Sequence, residues 1–330
     1  MKIVIPAAGQ GTRLQPHTFT RPKVMLPVAG RPIIGHILED IAGLGADEIR
    51  LVVGYMGETV GDYARESFVG LPIRLVWQEE QLGLGHAVLQ ALDEGDDEPV
   101  LVILGDTVFD VDYETVVESD VHVLGVRRVP DPERFGIVEL DESGERVVRL
   151  VEKPANPPTD LALVGLYWVT AGETLRSAIA GLVDRDETTR GEYQLTDALQ
   201  RMIEAGEPFA PFEIGDWFDC GKPETLLSTN RALLDRRAPA IPDDLHGAAA
   251  VLVPPVWIGP DCTVDNAVLG PHVTLMKGST VRNAVVRDAI LAERVRVEDA
   301  VLERSILGPD VVVEGRSLSL DLGDGSEITC

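Results

Sequence analysis

Two basic residues close the first stretch of this sequence that could do chemistry. The run Ile3-Val4-Ile5-Pro6-Ala7-Ala8 leads into Gly9-Gln10-Gly11-Thr12-Arg13-Leu14, and Arg21-Pro22-Lys23 follows. A buried strand that ends in small residues delivers a turn whose backbone N–H groups an anion approaches closely. Arg and Lys add countercharge. The pattern fits a phosphate pocket; a tight strand-to-helix turn is the structural alternative. It is neither standard phosphate motif. The third glycine of the dinucleotide fingerprint is missing, and no Gly-Lys-Ser/Thr follows to make a P-loop. Further along, Asp106 follows the apolar run Val100–Leu104 and Gly105. A carboxylate at the end of a buried strand is costly unless it is paired. Asp219 precedes Cys220-Gly221 and Pro223, where an Asx-turn before a helix is the plain reading. The six histidines (17, 36, 86, 122, 246 and 272) form no ligand spacing, and no Ser-His-Asp or Cys-His set is present.

These residues need a scaffold, and the hydrophobic pattern supplies one. Residues 2–5 read as a buried strand, 49–53 and 73–77 as strands, and 100–104 as an apolar strand. Helical spacing covers Pro32 to Leu44 and Ala87 to Leu92. Alternating strands and helices predict an α/β fold with a doubly wound, mostly parallel sheet. Ligands in such sheets sit beyond the carboxyl ends of the strands, where Gly9, Gly11, Gly54, Gly105 and Asp106 fall. From Val121 the pattern changes to a strand at 122–126, a hairpin over 136–140 and 147–151, and a strand at 164–169. Helices follow at 195–205 and 225–234. Arg236 to Asp244 reads as a linker. Beyond it, aliphatic residues recur every five or six positions: Ile258, Val264, Leu269, Leu275, Val281, Val286, Leu291, Val297, Leu302, Leu307 and Val313. No amphipathic helix holds that phase. It matches hexapeptide repeats that wind a parallel β-helix of about three coils.

Composition sets outer limits. The 330 residues suffice for two domains, and 45% hydrophobic content supports real cores. Net charge is −26, which argues against a broad polyanion-binding surface and hence against nucleic acid as a partner. A phosphate ligand must then meet a local basic cluster. Five of the 29 basic residues are lysine, and Lys23, Lys153 and Lys222 each stand beside proline or glycine in motif-like settings. The acidic, lysine-poor composition suggests adaptation to high salt; arginine-rich coding is the alternative source of the lysine shortage. No apolar run is long enough for a membrane helix, and no leader precedes the first strand pattern. Cys220, Cys262 and Cys330 make neither a disulfide framework nor a metal spacing, so a cytoplasmic setting is expected.

The motifs taken together resemble the sugar-1-phosphate nucleotidylyltransferases. Gly9-Gln10-Gly11-Thr12-Arg13-Leu14 with Arg21-Pro22-Lys23 looks like the family signature. Gln78 through Gly83, Leu104-Gly105-Asp106, Phe135-Gly136-Ile137-Val138-Glu139, Glu152-Lys153-Pro154, Gly165-Leu166-Tyr167, Arg190-Gly191-Glu192 and Trp217-Phe218-Asp219-Cys220-Gly221 follow in the family's order. The resemblance covers residues 3 to 221, and the repeat resembles the left-handed β-helix that many members carry. It implies a Rossmann-like nucleotidyltransferase domain over 1–235, a linker over 236–250 and a left-handed β-helix over 251–330. It implies that a sugar 1-phosphate oxygen attacks the α-phosphorus of a nucleoside triphosphate and that pyrophosphate leaves. Ala8, Gly9, Gly11, Thr12, Arg13, Gln78 and Gly83 would then bind the nucleotide. Gly136, Glu152, Lys153, Tyr167 and Arg190 would bind the sugar phosphate. Arg13 and Lys23 would act on the phosphates, and Asp106 and Asp219 would hold Mg²⁺.

The spacing of Gln78 and Gly83 resembles members that read thymine or uracil, and the segment Asp219 to Thr225 resembles long-form glucose-1-phosphate thymidylyltransferases. The expected pair is therefore dTTP with glucose 1-phosphate. Alternatives are UTP with glucose or N-acetylglucosamine 1-phosphate, and GTP with mannose 1-phosphate. Outside this class stand a β-helix acyltransferase using His272, the one histidine within the repeat, and a non-catalytic sugar-nucleotide sensor. The retained charges at Arg13, Lys23, Asp106, Lys153 and Asp219 argue against the sensor. A homo-oligomer assembled through the β-helix is expected.

Overall fold

The computed structural model describes residues 1–236, 240–242, 245 and 249–315. Part of the expected linker, and the end of the expected repeat domain over 316–330 with Cys330, lie outside the described residues. The chain divides into two compact units. One is Met1–Leu26 with Arg31–Leu226; the other is Pro27–Gly30 with the chain from Leu227 onward.

The first unit is built on β1 (Lys2–Pro6), whose centre is fully buried. The two-residue strands β2 (Pro27–Val28), which belongs to the second unit, and β3 (Arg31–Pro32) precede α1 (Ile33–Ile41). There follow β4 (Glu48–Val53), α2 (Gly57–Ser67), β5 (Ile73–Trp77), α3 (Leu84–Gln90) and β6 (Val100–Ile103). Strands β6, β1, β4 and β5 pair in that order, all parallel. This is the expected α/β core, and the ends of β1 and β6 lie side by side.

Past β6 the sheet becomes mixed. After β7 (Thr107–Asp110), α4 (Tyr113–Val117) and β8 (His122–Arg128) come the hairpin strands β9 (Gly136–Leu140) and β10 (Val147–Glu152), then β11 (Leu161–Val169). Strand β11 runs antiparallel to β6, β8 and β9. All nine of its residues are buried, as a central strand covered on both faces requires. Helices α5 (Gly172–Asp184) and α6 (Leu195–Glu204) cover it, Leu175, Ile179, Leu195 and Leu199 joining the core. Strand β12 (Phe209–Glu213) adds beside β8. Strand β13 (Asp216–Asp219) pairs antiparallel with β7 in a separate two-stranded sheet. Helix α7 (Pro223–Arg236) follows.

The division between units falls inside α7, nine residues before the expected end at 235. The physical reason lies in the helix's later turns. Asn230 is fully buried, and its Oδ1 accepts from Ala29 N at 2.9 Å and from Thr274 Oγ1 at 2.6 Å. Arg231 forks onto the Asp288 carboxylate. All of these partners belong to the second unit.

That unit is a parallel solenoid and fits the left-handed β-helix that the repeat predicts. Val251 pairs with Val268, Val268 with Val285, and Val285 with Val301, so one face recurs every 16 or 17 residues. Two other faces keep the same steps, Val256 to Val273 to Ala289 and Thr263 to Thr280 to Arg296. Of the expected interior column, Ile258, Val264, Leu269, Leu275, Val281, Val286, Leu291 and Val297 are buried, and Leu302, Leu307 and Val313 are partly buried against them. The described rungs on the first face number four, one more than the expected three coils, because Val251 starts the stack ahead of Ile258. Corners turn on left-handed residues, among them Asn266, Asn283 and Asp299. Asn and Asp tolerate that conformation best after glycine. Their side chains also bond up the stack, Asn266 Nδ2 to Asn283 Oδ1 at 2.8 Å and Asn283 Nδ2 to Asp299 Oδ1 at 3.1 Å. Among the described residues no helix is long and apolar enough to cross a membrane.

One bulge ties the mixed half of the first unit to the parallel half. The β11–β8 register shifts between Leu163 and Tyr167, and Gly165 there has φ +97°. A Cβ on Gly165 would stand 2.5 Å from Leu104 Cδ1. Gly165→Ala is expected to destabilise the protein by about 1–3 kcal/mol through backbone strain and crowding. Urea denaturation checks it; a midpoint equal to wild type would contradict the strain.

Candidate active site

The loop after β1 is shaped by its glycines and by Lys23. Gly11 is left-handed, at φ 64°, and starts a 3₁₀ turn over Thr12–Leu14. Thr18 Oγ1 donates to its carbonyl at 2.9 Å. A Cβ on Gly11 would lie 2.9 Å from Lys23 Cβ, so the loop folds closely over the lysine stem. Gly9 faces open space, while Gln81 Nε2 donates to Ala8 O at 2.7 Å and holds the loop's near edge. Thr12 and Arg13 are exposed.

Lys23 reaches across to Asp106, at the end of β6, and forms an ion pair with its Oδ2. The lysine side chain is 11% exposed and the aspartate side chain 37%. Burial alone would raise the Asp106 carboxyl, but the charge and hydrogen bond of Lys23 pull it below the ordinary range. Asp219 arrives from the other direction. Pairing of β13 with β7 sets Asp219 opposite Thr107, next to Asp106 in the chain. Cys220 N donates to Asp106 O at 3.1 Å and fixes the crossing. Burial raises the Asp219 carboxyl above its ordinary value, and the negative charge of Asp106 adds to the rise.

Two cavities adjoin here. The first, about 330 Å³, is lined by Ala8, Gly9, Lys23, Gln78, Gly83 and Asp106, among others. The second, about 600 Å³, is lined by Arg13, Asp106, Gly136, Glu152, Lys153, Tyr167, Arg190 and Asp219, among others. Leu84, Leu104, Asp106 and Glu192 line both. The sequence's candidates are thus brought together around one seam. Gly11 and Thr12 line neither cavity and form the turn that carries Arg13. Arg13 itself lines the second cavity, where the sequence paired it with the nucleotide group.

The second cavity is organised around Glu152. Its Oε2 accepts from Thr196 Oγ1 at 2.7 Å, and its Oε1 accepts from Lys153 Nζ at 2.5 Å. Gly136 leaves the room for this: a Cβ there would stand 3.0 Å from Thr196 Oγ1 and 3.2 Å from Glu152 Oε2. Arg190, in an exposed turn, donates from Nη2 to Lys153 O at 2.7 Å. Tyr167 is buried, and burial first, then the charges of Glu152 and Asp106, hold its hydroxyl protonated.

Residues beyond the sequence's candidates also line the site. Thr196 gives no sequence signal, being one hydroxyl at the start of α6. Trp217 lies in the run Trp217-Phe218-Asp219-Cys220-Gly221. It packs edge-on to Phe135 at 5.3 Å, and its buried indole N–H has no hydrogen-bond partner.

No cluster of three or more metal-ligating side chains occurs among the described residues. Two carboxylates, one of them raised by burial and by the other's charge, are nonetheless a fitting donor set for a hard divalent ion that keeps waters and takes phosphate oxygens. Without a cation, the charge on Asp219 burdens the fold. An acid whose folded pKa is raised loses stability as pH rises through that pKa. Asp219→Asn in EDTA is therefore expected to raise the denaturation midpoint at pH 7, with the gain shrinking as pH falls into the carboxylate range. A lower midpoint at pH 7 would contradict the like-charge contact.

A family model described as nucleotidyl transferase matches residues 2–236. A glucose-1-phosphate thymidylyltransferase from Streptomyces griseus is 36% identical over 332 residues, 97% of this chain and 89% of that protein. The bifunctional protein GlmU of Methanocaldococcus jannaschii is 38% identical over 238 residues, 72% of this chain and 55% of that protein. A crystal structure of UDP-glucose pyrophosphorylase with UDP-glucose superposes with a TM-score of 0.62 at 26% identity, covering 72% of this chain and 99% of that one. With a family match over most of its length and a relative similar along nearly all of it, the chain belongs to the nucleotidyl transferase family.

Proposed function

We propose that this protein transfers a thymidylyl group from dTTP to glucose 1-phosphate, giving dTDP-glucose and pyrophosphate. The observation that carries the reading is the pair of cavities adjoining at Asp106, with Lys23 in the lining of the first. One cavity takes a nucleoside triphosphate and the other a sugar 1-phosphate, so the two phosphates face each other at the seam. An oxygen of the sugar phosphate attacks the α-phosphorus, and the bond from that phosphorus to the pyrophosphate oxygen breaks. The attacking phosphate is already an anion at neutral pH, so no general base is required. The demand on the protein is alignment and neutralisation of charge.

The residues divide that work. Lys23 supplies a point charge at the α-phosphate. Arg13, exposed on its turn, swings to the β- and γ-phosphates and receives the departing pyrophosphate. Lys153 and Arg190 hold the sugar phosphate. Glu152, fixed by Thr196, accepts hydrogen bonds from sugar hydroxyls, and the Trp217 indole N–H has the chemistry to donate to one. Asp106 and Asp219 would hold a divalent ion, Mg²⁺ in this reading, which when bound neutralises triphosphate oxygens and orients them. In the first cavity Ala8, Gly9 and Gly83 leave space for the nucleotide, and Gln78 meets the base.

Thymine is preferred because the similarity to the Streptomyces griseus thymidylyltransferase extends over 97% of this chain. A second reading, UTP in place of dTTP, draws on the likeness to UDP-glucose pyrophosphorylase. The test is a grid of five nucleoside triphosphates against glucose, galactose, mannose and N-acetylglucosamine 1-phosphates with Mg²⁺, read by pyrophosphate release. The highest kcat/KM is expected for dTTP with glucose 1-phosphate. A dominant purine triphosphate would overturn the reading.

A further inference from the structure

We infer that His86 is a positioning residue that fixes which end of the Gln78 amide faces the nucleotide cavity, and thereby which pyrimidine bases that cavity admits. The inference rests on the pyrimidine triphosphate reading above. Gln78 is 6% exposed and lines the cavity; His86 is not among the residues lining it. Gln78 Nε2 donates to Gly83 O at 3.2 Å and lies 3.2 Å from His86 Nδ1. An amide nitrogen only donates, so Nδ1 accepts, and the proton of the neutral ring sits on Nε2. On the next turn of α3, Gln90 Nε2 lies 3.2 Å from His86 Nε2. Gly83 O fixes the Gln78 nitrogen, so the ring proton stays on Nε2, and the exposed Gln90 amide turns about its last bond to bring its oxygen to that proton.

The chain Gln90–His86–Gln78 therefore has one consistent polarity. It commits the Gln78 nitrogen to the protein and leaves the carbonyl oxygen to meet a base. The frame around it is stiff. Gly83 has φ +112°, with Tyr193 O only 2.8 Å from where its Cβ would stand, and Gly85 N donates to that same carbonyl at 2.8 Å. A free acceptor at Gln78 suits thymine or uracil, whose N3 carries a hydrogen. It opposes cytosine, whose N3 is itself an acceptor. Without an acceptor at position 86 the amide nitrogen keeps only its 3.2 Å bond to Gly83 O, so the amide turns over more readily and cytosine is met more often.

The test uses the full chain with Mg²⁺ and the sugar 1-phosphate that the wild type turns over. It measures kcat and KM for dTTP, UTP and CTP in wild type, His86→Leu and His86→Asn. Asn keeps an oxygen acceptor near the Nδ1 position. In His86→Leu the preference for dTTP or UTP over CTP, as a ratio of kcat/KM, is expected to fall about tenfold. The change is expected in KM, with kcat within about threefold, while His86→Asn restores most of the ratio. A His86→Leu ratio equal to wild type, or a loss confined to kcat, would overturn the positioning role. A wild type that does not prefer dTTP or UTP to CTP would overturn the substrate reading itself, and the inference with it.

Discussion

The contact between Lys23 and Asp106 organises the first unit. A carboxylate at the end of a buried strand is tolerated only when a cation meets it. That requirement draws the loop after β1 across the end of β6 and fixes where the lysine points. It also fixes where a second carboxylate lies, because β13 pairs with β7 and brings Asp219 to the same place. The outcome is one lysine and two carboxylates at the junction of two cavities, with Arg13 on the exposed turn beside them. Such a site is electrostatically incomplete in the direction that matters. Cationic side chains and a pair of carboxylates meet there.

The mixed sheet follows from the same geometry. A purely parallel sheet would supply one crevice beyond its strand ends. Strand β11 runs antiparallel beside β6, and its bulge at Gly165 sets Val164, Gly165 and Tyr167 along the second cavity. The β9–β10 hairpin then contributes Gly136 from one strand and Glu152 from the other, paired in register. The parallel half thus carries the turn and much of the first cavity, and the antiparallel half carries much of the second.

Much of this was legible in the sequence, for definite reasons. Strands β1, β4 and β6 are short apolar runs that end at or within two residues of glycine or proline, and their strength as signals reflects burial; β5 was legible as an apolar run although it is only partly buried. The solenoid was legible because aliphatic residues repeat at a spacing that no helix shares, and the observed steps of 16 or 17 residues are three such repeats. Helices α2 and α5 were not legible: each begins at glycine and carries a second glycine inside, which blurs the periodic stripe. Strand β13 was also missed. Its four residues, Asp-Trp-Phe-Asp, alternate poorly and are only half-buried, so its strand state comes from pairing with β7. That omission hid how Asp219 reaches Asp106. Thr196 was invisible because a lone hydroxyl acquires its role only when Glu152 lies 2.7 Å away.

The central claim is that two anions react directly at this seam, with the protein supplying alignment and charge and no covalent nucleophile. The stereochemical course at the α-phosphorus tests it most directly. A dTTP analogue with a chiral α-thiophosphate is turned over with the sugar 1-phosphate, and the configuration of the product is determined. Inversion is expected, the result of a single in-line displacement. Retention would contradict it, because two displacements would require a nucleotidyl group carried on a side chain.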